Sequence, residues 1–208
     1  MISELNEQEN FWKNEFGNEY SSRNNNTDES LEQRTSEFLK YLKSTHEIKS
    51  VLEFGANIGL NLSILKSLLK EPSLHAVEIN SAAIEELSSI VPRQNIFEGS
   101  FNEFISDQKF DLVLSRGVLI HLNPNELEKA YEQLYKYSKR YILISEYFNA
   151  EPVNIDYRGY KNKLFKRDFC KEILQSYNDL KLVDYGFLYS SDNKFNYDDL
   201  TWFLMEKG

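Results

Sequence analysis

Cysteine is nearly missing from this 208-residue chain: Cys170 is the only one, so no internal disulfide can form and a reducing compartment is expected. Basic charge is also in deficit. Lysine and arginine total 24 against 33 acidic residues, a net charge of -9, which argues against a general nucleic-acid binder because displacing counterions takes a basic surface. A local basic patch for one phosphate stays open. No apolar run approaches the roughly 20 residues of a membrane span, and the opening MISELNEQENFWKNEF is acidic and lacks the apolar stretch of a signal peptide. No internal repeat is visible. Neither His46 nor His75 has a partner pattern for metal, and no cluster has zinc-ligand spacing. The expectation is a soluble cytoplasmic protein, monomeric or dimeric, acting on a small molecule without metal, nucleic acid or membrane.

What is present suits one domain with a sizeable core: 41% hydrophobic and 14% aromatic residues. Phe11, Trp12, Phe16 and Tyr20 recur at helical spacing, so the N-terminus is expected to carry an amphipathic helix. NNNTDES (24–30) reads as a loop or hinge, and Leu31, Phe38, Leu39 and Leu42 predict a helix over 28–44. From Lys49 short apolar runs alternate with helical stretches. SVLEF (50–54), LHAVEI (74–79), NIFEG (95–99), FDLVLS (110–115) and RYILISEY (140–147) read as strands. Helices are expected over 58–70, 81–90 and 124–138, the last opened by Asn123 as cap and Pro124 at the first position. This βα alternation predicts a parallel sheet covered on both faces. A further helix near 167–177 precedes two runs, 180–190 and 198–207, separated by a short polar loop, and those should pair antiparallel.

VLEFGANIG (51–59) is a strand, a glycine turn and the start of a helix, the arrangement that places backbone N–H groups and a positive helix end at a sheet's carboxyl edge. A generic βα turn would look similar. Three features point further. Asn57 takes the middle position of the dinucleotide fingerprint and the last glycine, Gly59, comes one residue early, so a pyrophosphate fits poorly beside Gly55. Glu78 ends the second strand, placed to accept ribose hydroxyls and to repel a ribose phosphate. Glu53 sits inside the first strand, and a buried carboxylate needs donors such as a ligand ammonium, directly or through water. Together these suit a phosphate-free nucleoside with an amino-acid tail, a description S-adenosylmethionine meets.

On VLEFGANIG, AVEIN with Glu78, and FDLVLSRGVLIHLNP, the sequence over roughly 48–207 resembles the class I S-adenosylmethionine-dependent methyltransferases. The resemblance implies a Rossmann-like α/β fold, a mostly parallel seven-stranded sheet with a C-terminal antiparallel hairpin, over residues 48–208. It implies that Gly55 and Gly59 pack against methionine and ribose, that Glu78 binds the ribose hydroxyls, that Ser100 and Phe101 border the adenine, and that Arg116 supports the loop near the methionine ammonium. Residues 1–47 are expected to form a helical lid, with Tyr20 and Arg23 reaching the methionine carboxylate; a helix merely packed on the sheet edge is the plainer alternative. Three further segments, FWKNEFGNEYSSRN (11–24), YRGYKNKLFKRDF (157–169) and DDLTWFLMEK (198–207), are similar to the family of pseudaminic acid biosynthesis-associated methylases. That resemblance implies a role in surface-glycan or flagellar modification.

Methyl transfer is an in-line attack, so positioning dominates, and an amine or hydroxyl acceptor must also lose a proton. His121 is the candidate base, with loop support as its alternative; Tyr157, Tyr160 and Glu146 are further acceptor-side candidates. Tyr157, Arg158, Tyr160, Lys161, Lys163, Lys166 and Arg167 form the densest basic and aromatic cluster of an acidic chain. Arg158, Tyr160, Lys166 and Arg167 are expected to bind a polar, anionic acceptor. A solvated loop with positive charge at the start of an ordinary helix would look the same, and Asp168 fits a helix start. The resulting reading is a methyltransferase acting on an N or O atom of a sugar, nucleotide sugar or phosphorylated metabolite. A non-catalytic cofactor-binding scaffold and an NAD-dependent oxidoreductase are the competing classes.

Overall fold

The computed structural model describes residues 5–23, 27–195 and 197–208. The N-terminal helix expected from the aromatic spacing is two helices, α1 (Glu7–Lys13) and α2 (Glu15–Arg23), broken at Asn14. Asn6 opens α1 through a reciprocal capping box with Glu9. Helix α3 (Asp28–Leu42) starts at Thr27, whose side chain accepts the Ser30 amide, with Asp28 and Glu29 favouring the positive helix end. Of the expected hinge at 24–30, residues 24–26 lie outside the described residues.

The alternating units follow as β1 (Ser50–Phe54), α4 (Leu60–Leu68), β2 (Ser73–Glu78), α5 (Ser81–Leu87), β3 (Ile96–Glu98), β4 (Phe110–Arg116), α6 (Leu127–Tyr137) and β5 (Ser138–Glu146). The helix expected from Pro124 begins as a 3-10 turn, Pro124–Glu126, with the Asn123 side chain accepting the Asn125 amide. Next come β6 (Val153–Tyr157), β7 (Tyr160–Lys166), α7 (Phe169–Ser176), β8 (Leu180–Leu188) and β9 (Leu200–Lys207). Seven strands form one sheet in the order β3-β2-β1-β4-β5-β9-β8. The first five are mutually parallel and β9 runs antiparallel to both neighbours. This is the Rossmann-like methyltransferase arrangement that the resemblance implied.

Successive β1 residues face opposite layers, which explains an almost unbroken apolar run. Val51 joins Phe38, Tyr41, Leu62 and Leu65 beneath α3 and α4, while Leu52 joins Tyr131, Leu134 and Ile173 beneath α6 and α7. Because Phe38 and Tyr41 are fully buried there, α3 is a layer of the core. Among the described residues no helix is long and apolar enough to cross a membrane.

One element corrects the sequence expectation. The basic segment after β5 is a separate antiparallel hairpin, β6–β7, pairing Tyr157 with Tyr160 across a two-residue turn. Arg158 (φ 51) and Gly159 (φ 87) both take the left-handed conformation that matches the twist of such a turn. Lys166 therefore ends a strand instead of starting a helix, and Asp168 caps α7 by accepting the Lys171 amide. The strand pattern is weak because nearly all of β6 is exposed and no face needs to be apolar.

Candidate active site

The β1–α4 loop contains three left-handed residues, Gly55 (φ 70), Asn57 (φ 49) and Gly59 (φ 85). A Cβ on Gly55 would meet Val118 at 2.5 Å, and one on Gly59 would meet Leu87 at 2.7 Å. Gly59 thus serves the packing of α4 on α5. Asparagine is among the few side-chain-bearing residues that enter the left-handed region readily, which accounts for Asn57 at a position where related loops use glycine. The Asn57 amide donates to Glu78 Oε2 at 2.7 Å, while Glu78 Oε1 accepts the amides of Ile79 (2.9 Å) and Asn80 (2.8 Å). Three of about four acceptor positions on the carboxylate are used, leaving one on Oε2, and Glu78 lines the cavity. Burial pushes the Glu78 carboxyl up, and the three amides counter it.

Glu53 is absent from the cavity lining, contrary to the expected contact with a ligand ammonium. It lies fully buried beneath the loop, with Oε1 accepting from Asn61 Nδ2 at 2.5 Å; Asn61 Oδ1 in turn accepts from Arg34 Nη1 at 2.9 Å. Burial lifts the Glu53 carboxyl to about 8. Arg116 does face the cavity, and its guanidinium is held on the buried Glu37 through Nε (3.0 Å) and Nη2 (2.9 Å). Burial works against the Arg116 charge, and Glu37, joined by Tyr41, Tyr20 and Asp198, outweighs it, so the guanidinium stays charged. Arg34, also lining the cavity, has its pKa lowered by burial and by Arg116. Sequence reasoning missed Arg34; its only signal was a basic residue one turn before Phe38 on the buried face of α3.

Ser100 and Phe101 line the opposite end, as does Asn102. Phe101 stacks on Phe54 at 4.1 Å, and Gln133 Nε2 donates to the carbonyls of Phe101, Asn102 and Phe104 (3.4, 3.3 and 3.0 Å), fixing the segment. Asn102 Oδ1 and Trp12 Nε1 are buried at the cavity with no hydrogen-bond partner among the described residues, and Glu53 Oε2 is likewise unpartnered beneath the loop. Buried polar atoms left unpaired are costly, and Asn102 and Trp12 belong to the cavity lining, which fits a polar ligand there. Gly117 (φ 68) also lines the cavity, with open space where a Cβ would stand.

Helices α1 and α2 roof this space. Asn57 Nδ2 donates to Ser21 Oγ (2.9 Å), and Asn80 Nδ2 reaches Asn18 Oδ1 (2.7 Å) and the carbonyls of Trp12 and Lys13 (both 3.3 Å). On the other side Asn6 Nδ2 donates to Glu126 Oε2 (2.6 Å) and Gln8 Nε2 to the Asn162 carbonyl (3.1 Å). Tyr20 lines the cavity, edge-on to Trp12 at 5.2 Å. Arg23 ends α2, and its side chain lies outside the described residues.

His121 lines the cavity between Trp12 (ring centroids 4.6 Å) and Tyr157 (4.8 Å). Its Nδ1 lies 2.5 Å from the Lys163 carbonyl, which can only accept, so Nδ1 carries the proton and Nε2 keeps a lone pair. Burial lowers the imidazole to about 4, against the carbonyl's opposing pull, so the ring is neutral at physiological pH. Tyr157 stands behind His121, outside the cavity lining.

Glu146 needs correcting from an acceptor-side group to a loop anchor. Its Oε1 accepts the Ser115 hydroxyl (3.3 Å) and the amides of Val118 (3.1 Å) and Leu119 (3.2 Å), and Oε2 accepts that of Ile120 (3.4 Å). It caps the 3-10 turn Leu119–His121 from below, and burial raises its carboxyl to about 7. None of Arg158, Tyr160, Lys166 or Arg167 lines the cavity. Arg158 is exposed at the hairpin turn, Tyr160 packs on Phe11 at 5.0 Å, and Lys166 sits 4.8 Å over the Tyr147 ring. Arg167 is committed to Glu172 at 2.7 Å, a carboxylate that also accepts the Tyr131 hydroxyl.

A strand-end carboxylate, a left-handed turn and a roofed cavity at the carboxyl edge of a 3-2-1-4-5 parallel sheet define an S-adenosylmethionine-dependent methyltransferase. The family model described as a methyltransferase domain matches residues 23–185, and the chain belongs to that family. Solved structures agree in fold. The glycopeptide N-methyltransferase MtfA complexed with S-adenosylmethionine matches with a TM-score of 0.63 at 14% identity, over 85% of this chain and 95% of that one. Magnesium protoporphyrin IX methyltransferase (ChlM) from Synechocystis PCC 6803 matches with a TM-score of 0.67 at 13% identity, over 100% of both chains. The 1,6-didemethyltoxoflavin-N1-methyltransferase of Burkholderia thailandensis matches with a TM-score of 0.68 at 15% identity, over 90% of this chain and 83% of that one. No curated protein matches the sequence significantly.

Proposed function

We propose that this methyltransferase binds S-adenosylmethionine in the roofed cavity and methylates an N or O atom of a small polar acceptor. The observation that carries the reading is Glu78, a buried carboxylate of the cavity lining whose three amide donors leave an acceptor position open, together with Asn102, a lining residue whose Oδ1 has no partner among the described residues. Glu78 would accept a ribose hydroxyl with its remaining acceptor position, Asn102 Oδ1 the adenine amino group, and Arg34 with Tyr20 would face the methionine carboxylate. The bound cofactor supplies an electrophilic methyl carbon on a sulfonium. Helices α1 and α2 act as the lid, excluding water once the acceptor is in place. His121 Nε2 takes the proton that the acceptor's nitrogen or oxygen loses, a role open to it because the ring is neutral and its tautomer is set.

The acceptor is a sugar, nucleotide sugar or phosphorylated metabolite of surface-glycan synthesis. Two things support this: the resemblance of residues 11–24, 157–169 and 198–207 to glycan-associated methylases, and Arg158 and Lys166, which make no ion pair among the described residues. Neither cation lines the cofactor cavity; Arg158 lies over the Tyr157 ring, which packs on His121, and Lys166 over the Tyr147 ring. A methyl-transfer screen with nucleotide sugars, nonulosonates and aminoalkyl phosphates tests the reading. Turnover with one of them that drops in an Arg158→Ala variant supports it; turnover confined to uncharged acceptors overturns the anionic part.

A further inference from the structure

Lys163 is a lysine only 5% exposed, in a strand where residues 160–162 are exposed and Leu164 is the one other buried position. Its Nζ meets Glu7 Oε1 at 2.5 Å and lies 5.1 Å from the Phe11 ring, both residues of α1. Its backbone carbonyl is the group that receives His121 Nδ1. One residue therefore joins the lid through its side chain and the imidazole through its main chain. The adjacent contact reinforces the geometry, since Gln8 Nε2 donates to the carbonyl of Asn162 at 3.1 Å.

We propose that Lys163 is a positioning residue whose ion pair with Glu7 couples closure of α1 to the alignment of His121. With the pair made, β7 is pinned against α1 at residue 163 and its carbonyl is held where only an Nδ1–H imidazole can satisfy it. Nε2 is then the unprotonated nitrogen. Without the pair, the buried ammonium loses its compensating charge and leaves for water, drawing the strand with it. The lid and the proton acceptor are thus set by one contact, and the acceptor site is complete only when the lid is down.

This inference rests on the reading of His121 as the proton acceptor, yet it is tested separately, by the state of the ring in the free protein. Long-range nitrogen–proton NMR spectra resolve the imidazole nitrogens of the three histidines, with His121 assigned by its loss in His121→Asn. The expected result is one His121 tautomer, protonated at Nδ1, in the parent protein. In Glu7→Gln, and separately in Lys163→Met, which keeps most of the buried stem, the two nitrogen shifts should move toward each other as the tautomers average. His121 nitrogens unmoved in both variants would overturn the coupling, as would an Nε2-protonated ring in the parent. A merely structural ion pair would alter the melting temperature and leave those shifts in place. Failure of the catalytic reading would appear elsewhere, as full methyl transfer by His121→Asn.

Discussion

Asn57 Nδ2 donates to Ser21 Oγ at 2.9 Å, so the one left-handed residue of the β1–α4 loop that carries a side chain also holds α2, the second helix roofing the cavity. A side chain there has two duties, tolerating φ 49 and holding α2. Asn57→Gly should keep the backbone and lose the grip, whereas Asn57→Val should add a left-handed cost of about 1–2 kcal/mol. Thermal denaturation and calorimetry with S-adenosylhomocysteine check this. The glycine variant should be the more stable and the tighter binder; a valine variant that matches it would show that the loop conformation is unimportant.

His121→Asn should lower methyl transfer by about 10²–10⁴-fold, the usual range for a lost general base. Affinity for S-adenosylhomocysteine should change only a few-fold, because the proposed nucleoside contacts are those of Glu78 and Asn102. A matching loss in both would place His121 in cofactor binding.

Glu146→Ala leaves three amides and the Ser115 hydroxyl without their acceptor. Each buried donor so stranded costs about 1–3 kcal/mol, and the 3-10 turn that carries His121 loses its cap. Urea denaturation should show a loss of several kcal/mol in total, with weakened cofactor binding from the displaced Gly117–Val118 wall. A loss under about 1 kcal/mol would mean that water replaces the carboxylate freely.

Stability should depend on pH in a direction set by buried carboxyls. Burial lifts Glu53 to about 8 and Glu146 to about 7, above the value near 4.5 of an ordinary glutamate. The folded chain then keeps protons that the unfolded chain has released, so stability falls as pH rises through this interval. His121, lowered to about 4, acts in the opposite sense, adding stability as pH rises toward 6.5, the ordinary value for histidine. Between about pH 6.5 and pH 8 the carboxyls act alone, and Tm should fall. Glu53→Gln should flatten that decline; an unchanged slope would assign it to other groups.

Strand and helix order from Ser50 to Glu146 was legible because buried parallel strands demand apolar runs and the helices between them demand a 3.6-residue period. The Asn14 break was hidden, since the aromatic residues on either side of it keep the same helical spacing. The β6–β7 hairpin was hidden too, because its strands bury little and its turn, Arg158–Gly159, lacks the usual asparagine. Among site residues, Gly55, Asn57, Glu78 and His121 were read from their positions after strands, and Ser100, Phe101 and Arg116 were implied by the resemblance; all seven line the cavity, whereas Gly59, also implied, does not. Arg34 and Asn102 were not found, because neither follows a strand directly. The placement of Glu53, Glu146 and the basic cluster depended on which way each side chain turns, and a charge at a strand end or on a loop does not reveal whether it meets a ligand or the protein's own amides.

The central claim is that Glu78 and the β1–α4 loop hold a phosphate-free nucleoside with an amino-acid tail. Calorimetric titration of S-adenosylhomocysteine into the parent protein and Glu78→Ala, with NAD as control, tests it most directly. The account predicts one site per chain for S-adenosylhomocysteine, affinity at least about tenfold weaker in Glu78→Ala, as loss of a hydrogen bond to a charged group implies, and no binding of NAD. Failure of the parent protein to bind S-adenosylhomocysteine, or equal affinity in Glu78→Ala, would contradict it.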